Sequence, residues 1–498
     1  MKLSAIVRPA SVAFVTFLSL AARPVPQPTN TPRTLTAASI AGPWMATLSH
    51  ADETRPLGVT LEAVDDHTVS VKMSNPALHI DELPIGNGKI DGNAVSLGPG
   101  FALQYDATSD TLHCTLPADL VPLYAIDATF HRGHVPPQPA RSLGGDPATP
   151  VWTFDAGAPI WADVAASDGL VYAGTDAGRL HAIDAASGRE RWTFTTGGMI
   201  RSRATISDGA LYLQSDDGML YRIDASAGTL RWKVRVSEKP VERRPPTDPK
   251  SRFNRFASAV TTGRGHLYLG TGDGHVLALD PATGARVWSF AAGDAVDSTP
   301  ALDGDRLYVG SFDRNVYALN ADTGALAWKH DTGGAVVSSP AIHQGHVIVG
   351  SRSYDLLALD ARTGTPAWTR YIWFSWIESP ATVRDDTAFV GSSDAALLSA
   401  FDASNGRPRW ALDVMGWAWG QPAVSDTRVY VGTAGMAKYP VRHQPAVLGV
   451  DRATGRVVWR YQLEAPADGT YGFPASPALI GDLVVIGSID GKVYAFRQ

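Results

Sequence analysis

Short runs of alternating apolar and polar residues, separated by Gly, Asp or Asn, recur along the chain from residue 41 onward. Between residues 41 and 133 they include VTLEAV (59–64), TVSVKM (68–73) and TLHCTL (111–116). An alternation with a period of two predicts strands with one buried face, and the residues between the runs predict tight turns. We therefore expect a small antiparallel β-domain over residues 41–133.

From residue 151 to the end the pattern repeats about every 40 residues. Each repeat has two apolar runs, such as GLVYAGT (169–175) and GRLHAID (178–184), followed by an acidic or amide residue, a Gly four positions later and a Trp four positions after that. The glycine permits the positive φ of a tight turn, and the tryptophan offers a large face for packing between units. A four-stranded unit cannot bury both of its faces alone, so radial stacking as a β-propeller is predicted.

The number of blades follows from both ends of the repeat array. The first two strands of the repeat occur eight times, but the last copy, residues 476–496, lacks its tryptophan strand. Residues 151–154 match the missing strand. We predict an all-β chain in which residues 151–498 form an eight-bladed propeller of four-stranded blades, with one blade shared by the two ends. The predicted structural blade tryptophans are Trp152, Trp192, Trp232, Trp288, Trp328, Trp368, Trp410 and Trp459.

The N-terminal residues predict export. Residues 1–22 combine Lys2 and Arg8 with an apolar stretch and small residues before a Pro-rich segment, which is typical of a signal peptide. The apolar stretch is too short for a membrane anchor. We interpret residues 23–40 as a Pro-rich linker and residues 134–150 as a second linker. The mature protein is expected to be periplasmic or secreted, without a transmembrane segment.

Charge and cysteine content exclude several classes of partner and bond. The formal net charge is -6, which offers no basic surface for phosphate neutralisation, so a nucleic-acid partner is not expected. Cys114 is the only cysteine, so the chain has neither an internal disulfide nor a lipid-anchor cysteine near the signal peptide. Because Cys114 lies in an alternating run, we expect a buried or half-buried core thiol.

One face of the predicted propeller carries the variable loops. The turns after the first strand and the Asp-x-x-x-Gly turns are nearly uniform and share one face. The connections from each tryptophan strand to the next blade vary, and they emerge on the opposite face together with the turns between second and third strands. Loops on a rigid scaffold commonly carry function. The insertions on this face are residues 236–256, 371–376, 415–419, 434–446 and 464–474.

The residues that open each inner strand should surround the mouth of the axial channel on that same face. Many of them depart from the small residues of the repeat and are acids, arginines or aromatics. Such side chains could bind a polar, planar or sugar-like ligand, or could form an ion-paired channel rim. The candidate binding funnel comprises Trp161, Asp163, Arg201, Arg203, Asn254, Arg255, Asp297, Trp376, Glu378, Trp417, Trp419, Gln421 and Tyr471.

The repeat pattern Ala-x-Asp-x-x-Thr-Gly-x-x-x-Trp, clearest at residues 278–288, resembles the repeat of the pyrroloquinoline quinone (PQQ) family. Two branches of that family bear on function. One contains the eight-bladed quinoprotein alcohol dehydrogenases, and the other is a non-enzymatic scaffold lipoprotein of outer-membrane protein assembly. The fold alone does not choose between them.

The quinoprotein resemblance would imply PQQ on a tryptophan floor and calcium held by carboxylate and amide oxygens. It would make Trp419 the floor, Asp163 and Asn254 the metal ligands and Asp297 the catalytic base. The chain lacks the adjacent cysteine pair and the haem motif of many such enzymes, whereas the scaffold lipoprotein lacks the N-terminal domain present here. We predict a non-catalytic scaffold that presents its loop-rich face to a protein, peptide or glycan, with a PQQ- and calcium-dependent alcohol or sugar oxidoreductase as the alternative.

Overall fold

The computed structural model describes residues 35–50, 53–98, 101–116, 126–244, 248 and 250–498. It contains two compact units, one ending at Ala140 and the other comprising Arg141–Gln498. The predicted signal peptide, residues 1–22, and most of the first linker lie outside the described residues. No helix within the described ranges is long and apolar enough to cross a membrane.

The first unit is a closed eight-stranded antiparallel barrel, in which β1 pairs with both β2 and β8. Alternate side chains fill its interior, including Trp44, Leu61 and Phe130. Cys114 is buried as expected, and burial raises the pKa of its thiol to about 12. The elements are α1 (Ala37–Ile40), β1 (Gly42–His50), β2 (Glu53–Asp65), β3 (Thr68–Asn75), a 3₁₀ turn (Pro76–Leu78), β4 (Ile80–Asp91), β5 (Ala94–Gly98), β6 (Phe101–Asp106), β7 (Thr111–Leu116) and β8 (Ile126–Arg132).

The second unit confirms the predicted propeller, because eight antiparallel sheets follow one another as blades. Strands β9 (Asp146–Pro147) and β10 (Trp152–Asp155) precede the first complete blade. Blades 1 to 4 are β11 (Ala165–Ser167), β12 (Leu170–Gly174), β13 (Arg179–Asp184), β14 (Glu190–Thr195); β15 (Thr205–Ser207), β16 (Ala210–Ser215), β17 (Met219–Asp224), β18 (Leu230–Arg235); β19 (Thr261–Gly263), β20 (His266–Gly270), β21 (His275–Leu279), β22 (Arg286–Ala291); β23 (Ala301–Asp303), β24 (Arg306–Gly310), β25 (Asn315–Asn320) and β26 (Leu326–Asp331).

Blades 5 and 6 follow the same plan, whereas in blade 7 β37 and β40 pair as a separate ribbon. Blades 5 to 8 are β27 (Ala341–His343), β28 (His346–Gly350), β29 (Asp355–Asp360), β30 (Pro366–Tyr371); β31 (Thr382–Arg384), β32 (Thr387–Gly391), β33 (Leu397–Asp402), β34 (Pro408–Asp413); β35 (Ala423–Val424), β36 (Arg428–Gly432), β37 (Ala434–Met436), β38 (Ala446–Asp451), β39 (Val457–Gln462), β40 (Thr470–Gly472); β41 (Ala478–Ile480), β42 (Leu483–Gly487) and β43 (Lys492–Arg497).

The two ends of the array share blade 8, as the sequence predicts. Strand β10 pairs antiparallel with the last strand β43, with Trp152 opposite Ala495 and Asp155 opposite Lys492. The outer strand of this blade therefore comes from the start of the propeller and its other three strands from the end. Closure of this kind leaves no open gap in the ring.

Seven of the eight blade tryptophans, all except Trp459, pack against the turn of the following blade. Trp288 of blade 3 donates a hydrogen bond from Nε1 to the carbonyl oxygen of Ala321, at 2.9 Å. Its ring lies against Gly324, where φ is +72° and an added Cβ would come within 2.6 Å of the ring. The positive φ and the close approach together explain why glycine recurs at this position.

Residues 141–148, called the strap below, lie along the outer edge of blade 7. Within the strap, β9 pairs parallel with β39, with Asp146 opposite Trp459. Arg141 forms a two-pronged ion pair with Asp413 of blade 6, with both N–O distances 2.6 Å. Part of the predicted second linker is thus a fifth strand of blade 7.

Candidate functional site

The candidate site is the mouth of the axial channel on the loop-rich face. The insertion between blades 2 and 3 reaches across this mouth. Arg255, near the end of the insertion, contacts Glu378 in the connection to blade 6 and Trp419 in the connection to blade 7. These connections lie on the opposite side of the ring from blades 2 and 3, so Arg255 joins the insertion to the far side of the mouth.

Glu378 is the centre of a buried ion cluster at this mouth. Its carboxylate accepts hydrogen bonds from Arg352 Nε at 2.7 Å and from Arg255 Nη1 at 3.1 Å. The side chain of Glu378 is only 3% exposed, and those of the two arginines are 11% and 10% exposed. Burial lowers the pKa of Arg255 to about 10, and the Glu378 carboxylate opposes that change. Arg352 also donates to the carbonyl oxygens of Arg252 and Phe253, so the cluster holds the insertion in place.

A second buried pair fixes the other end of the insertion. Arg243 makes a two-pronged ion pair with Asp216 of blade 2, at 2.5 and 2.7 Å, and also donates to the carbonyl oxygen of Asn254 at 2.5 Å. Asp297 lies nearby and is buried. Within the described residues its Oδ2 atom has no hydrogen-bond partner. Burial raises the pKa of Asp297 to about 6, although the charge of Arg243 opposes the change.

Arg201 forms a third pair with Asp176 of blade 1, with 2.8 Å between Nη2 and Oδ2. Burial lowers the pKa of this arginine and raises that of Asp176, in each case against the influence of the partner charge. Arg201 also donates to the carbonyl oxygen of Arg255, and its guanidinium lies 5.0 Å from the ring centre of Trp161.

Stacked aromatic rings form the rest of the mouth. Trp417 and Trp419 stack with ring centres 4.9 Å apart, and Trp161 stacks on Trp419 at 6.4 Å. The Arg255 guanidinium lies 3.8 Å from the ring centre of Trp419. The indole nitrogen of Trp419 donates to Ser393 Oγ at 3.2 Å. The faces and the polar edge of this tryptophan therefore already contact groups of the same chain.

The remaining predicted funnel residues occupy three different environments. Trp376 lies 4.4 Å from the Arg352 guanidinium and belongs to the mouth. Tyr471 is in the β37–β40 ribbon and donates to the carbonyl oxygen of His443 at 3.3 Å. The other three line the channel beneath the mouth, namely Asp163, Arg203 and Gln421.

The channel contains two cavities below the mouth. One of about 220 Å³ has Arg201 and Phe256 among its lining residues, and one of about 680 Å³ is lined mainly by residues of the inner strands. Arg203 and Gln421 line both cavities. Asp163 accepts a hydrogen bond from the backbone nitrogen of Ser476 at 2.7 Å, and Gln421 donates to the carbonyl oxygen of Ala381 at 3.2 Å. These two side chains therefore also join neighbouring blades.

The sequence analysis identified neither the partners of Arg201 and Glu378, which are Asp176 and Arg352, nor the pair of Arg243 with Asp216. Asp176, Asp216 and Arg352 each occupy the position after the Thr or Ser that begins the turn between second and third strands. Phe312 stands at the same position in blade 4, and the Arg352 and Arg252 guanidiniums lie 5.1 and 4.5 Å from its ring centre. This turn position faces the mouth in successive blades, and its residue type varies from blade to blade. That variability is the sequence signal by which these partners could have been found.

The arrangement does not fit the quinone site of the alternative prediction. Trp419, the proposed floor, is covered by Arg255 and Trp417, and Asn254 contributes a backbone oxygen to Arg243. Asp163 accepts a hydrogen bond from the Ser476 nitrogen, while the positive charge of Arg243 acts on Asp297. In the described part of the chain, no three His, Cys, Asp or Glu side chains come together in a group that could hold a metal ion. We therefore assign no calcium ligands and no catalytic base here.

Fold and repeat together define an eight-bladed propeller of the PQQ-like repeat class. The family model described as outer membrane protein assembly factor BamB matches residues 145–271, 272–374 and 372–498, which is most of the chain. The chain belongs to that family. No curated protein sequence matches the chain.

Solved structures share the propeller fold at low sequence identity. BamB from Moraxella catarrhalis is 20% identical, with a TM-score of 0.53 over 70% of this chain and 100% of that one. Quinohemoprotein alcohol dehydrogenase from Comamonas testosteroni is 14% identical, with a TM-score of 0.54 over 70% of this chain and 76% of that one. Sqt1 from Saccharomyces cerevisiae is 15% identical, with a TM-score of 0.56 over 71% and 99%. An assembly factor and an enzyme thus have the same fold, and the choice between functions depends on the site.

Proposed function

We propose that this protein is an exported, non-catalytic scaffold that binds a partner polypeptide on the loop-rich face of its propeller. The proposal rests on the pairing of carboxylates with arginines at the axial mouth. Glu378, Asp216 and Asp176 are each bound to arginines of the same chain. Side chains that neutralise one another in this way rigidify a surface and leave few groups to orient a small ligand.

The exposed parts of the same face support a macromolecular partner. The insertion between blades 2 and 3 crosses the mouth, and the two insertions of blade 7 lie beside it. Lys438 and Asp468 of blade 7 are 57% and 75% exposed, and Met199 in the connection between blades 1 and 2 is 39% exposed. A rigid centre with exposed loops around it is the surface that a folded domain or an extended peptide can contact over a large area.

Family membership supports the same class of function. The matching model describes an assembly factor, and such a factor acts by binding proteins. Export is proposed on the pattern of residues 1–22, and we place the working protein in the periplasm or outside the cell.

Site-specific photo-cross-linking in the native cell tests the proposal. A photoreactive residue at Lys438 should yield a discrete cross-linked polypeptide. Asp305 is the matched control, since its side chain is 61% exposed and lies in a turn between first and second strands, on the opposite face. A photoreactive residue at Met199 should also yield this product; the Lys438→Glu variant should lose the Met199 product, whereas Asp305→Lys should retain it.

Two outcomes would contradict the proposal. Equal products from Asp305 and Lys438 would show that contact with the loop-rich face is not specific. A product from Asp305 alone would place the partner on the face with uniform turns.

A further inference from the structure

The strap shows how this propeller binds an extended segment at a blade edge. Val457 of the outer strand β39 is only 4% exposed, and Leu143 of the strap belongs to the same core cluster. Arg460 donates through Nη1 to the carbonyl oxygens of Gly144 and Gly145, and its own carbonyl oxygen accepts a hydrogen bond from the Ala148 nitrogen at 2.8 Å. An aliphatic side chain and a cation therefore hold the segment.

These two contact residues have fixed places in the repeat. Val457 stands two positions before the blade tryptophan Trp459, and Arg460 stands one position after it. Only two other blades combine an aliphatic residue and a cation at these positions. Blade 2 has Leu230 and Lys233 around Trp232, and blade 4 has Leu326 and Lys329 around Trp328. The corresponding pairs in blades 1, 3, 5, 6 and 8 are Glu190 and Thr193, Arg286 and Ser289, Pro366 and Thr369, Pro408 and Ala411, and Pro150 and Thr153.

In blades 2 and 4 this pair of residues is exposed. Leu230 is 44% exposed and Leu326 is 48% exposed, and both lysines are exposed as well. In the described ranges, the sheets of these two blades have four strands each, whereas blade 7 has the added β9. An outer strand offers unpaired backbone groups to an incoming strand. In blades 5 and 6 a proline begins the outer strand and removes one such donor.

We propose that the outer edges of blades 2 and 4 each bind an extended, glycine-containing segment of a partner polypeptide, parallel to the outer strand, as the strap binds blade 7. The aliphatic residue packs against the segment, and the lysine donates to its carbonyl oxygens. A small residue is required at the place of Gly145, because a Cβ there would come within 2.7 Å of Val457 Cγ1 and 3.2 Å of the Trp459 nitrogen. This surface is separate from the loop-rich face and does not depend on the function proposed above.

The probe is a fluorescent peptide with the sequence of residues 141–149, added to the full-length protein, whose own strap occupies blade 7. We expect a saturable rise in fluorescence anisotropy. The L230E/L326E variant should weaken binding by roughly tenfold or more, because each change replaces an apolar contact by a charge. A peptide carrying the G145V change should not bind.

The matched control is Val287 of blade 3, which is 47% exposed but lies one position before its tryptophan and is not followed by a cation. V287E should leave the peptide affinity unchanged. All three positions are on the surface, and thermal unfolding of each variant verifies its fold. Equal peptide binding by L230E/L326E and the native protein, or no saturable binding, would overturn the proposal. A dimer in sedimentation that L230E/L326E converts to monomer would assign the edges to a second copy and overturn the partner assignment.

Discussion

Replacement of Glu378 by glutamine tests whether the insertion between blades 2 and 3 is held across the mouth by charge. The substitution keeps the size of the side chain and removes a carboxylate that is 3% exposed and bound to two arginines. Arg255 and Arg352 would then be buried cations that have lost the carboxylate bonded to both of them. Breaking a buried ion pair by removal of one partner typically costs about 3–5 kcal/mol, which is the loss we expect if the insertion stays in place.

The insertion can relieve this loss by leaving the mouth, which would expose both arginines to water. The free energy of unfolding would then fall by less, and the amides that anchor the insertion would exchange faster. These are the Val241 nitrogen, bonded to the Asp216 carbonyl oxygen at 2.8 Å, and the Ala257 nitrogen, bonded to that of Arg201 at 3.1 Å. Hydrogen exchange and urea unfolding therefore distinguish the two responses.

Asp294→Asn is the matched control, since it breaks a pair with Arg252 in the same region whose side chains are 41% and 44% exposed. An exposed pair contributes about 0.2–1 kcal/mol, so this variant should change little. A loss of less than about 1 kcal/mol in Glu378→Gln, with unchanged exchange at both amides, would refute the inference that Glu378 holds the insertion.

Three further changes test other parts of the structure. Asp297→Asn should stabilise the protein by roughly 3 kcal/mol at pH 7. The pKa of Asp297 is about 6 in the folded protein and 3.8 ordinarily, so its ionisation lowers the free energy of unfolding as pH rises through this window. The gain should vanish near pH 4, and a gain independent of pH would contradict the raised pKa. Gly324→Ala should cost about 1–3 kcal/mol in urea unfolding, more than Gly304→Ala, where φ is also positive but nothing lies within 4 Å of the added Cβ. Trp152→Ala should cost about 3 kcal/mol, as much as Trp192→Ala, and a much smaller loss at Trp152 would show that the shared blade contributes little to closure.

The repeat made the propeller predictable because each element of its pattern has a local cause. The turn at Gly324 requires a positive φ, and its backbone contacts the tryptophan of the preceding blade. Both constraints act within two adjacent blades, so glycine and tryptophan recur in the sequence at a fixed spacing. The same holds for strand β10, which was recognisable from residues 151–154 because it matches the other outer strands.

The pairing at the mouth could not be predicted from the repeat. Arg255 and Glu378 are 123 residues apart and meet only because the insertion crosses the axis. The strap was missed for a related reason, since Asp146 and Pro147 look like linker and become a strand only through the edge of β39. Contacts made by irregular segments across the ring have no fixed sequence spacing.

A titration of the mature protein with PQQ in the presence of calcium, followed by tryptophan fluorescence, tests the central claim most directly. We expect no saturable, calcium-dependent quenching, because Arg255 and Trp417 cover Trp419 and the Glu378 carboxylate is paired with arginines. Saturable quenching that requires calcium and is lost in Asp297→Ala would contradict the account and indicate a quinoprotein.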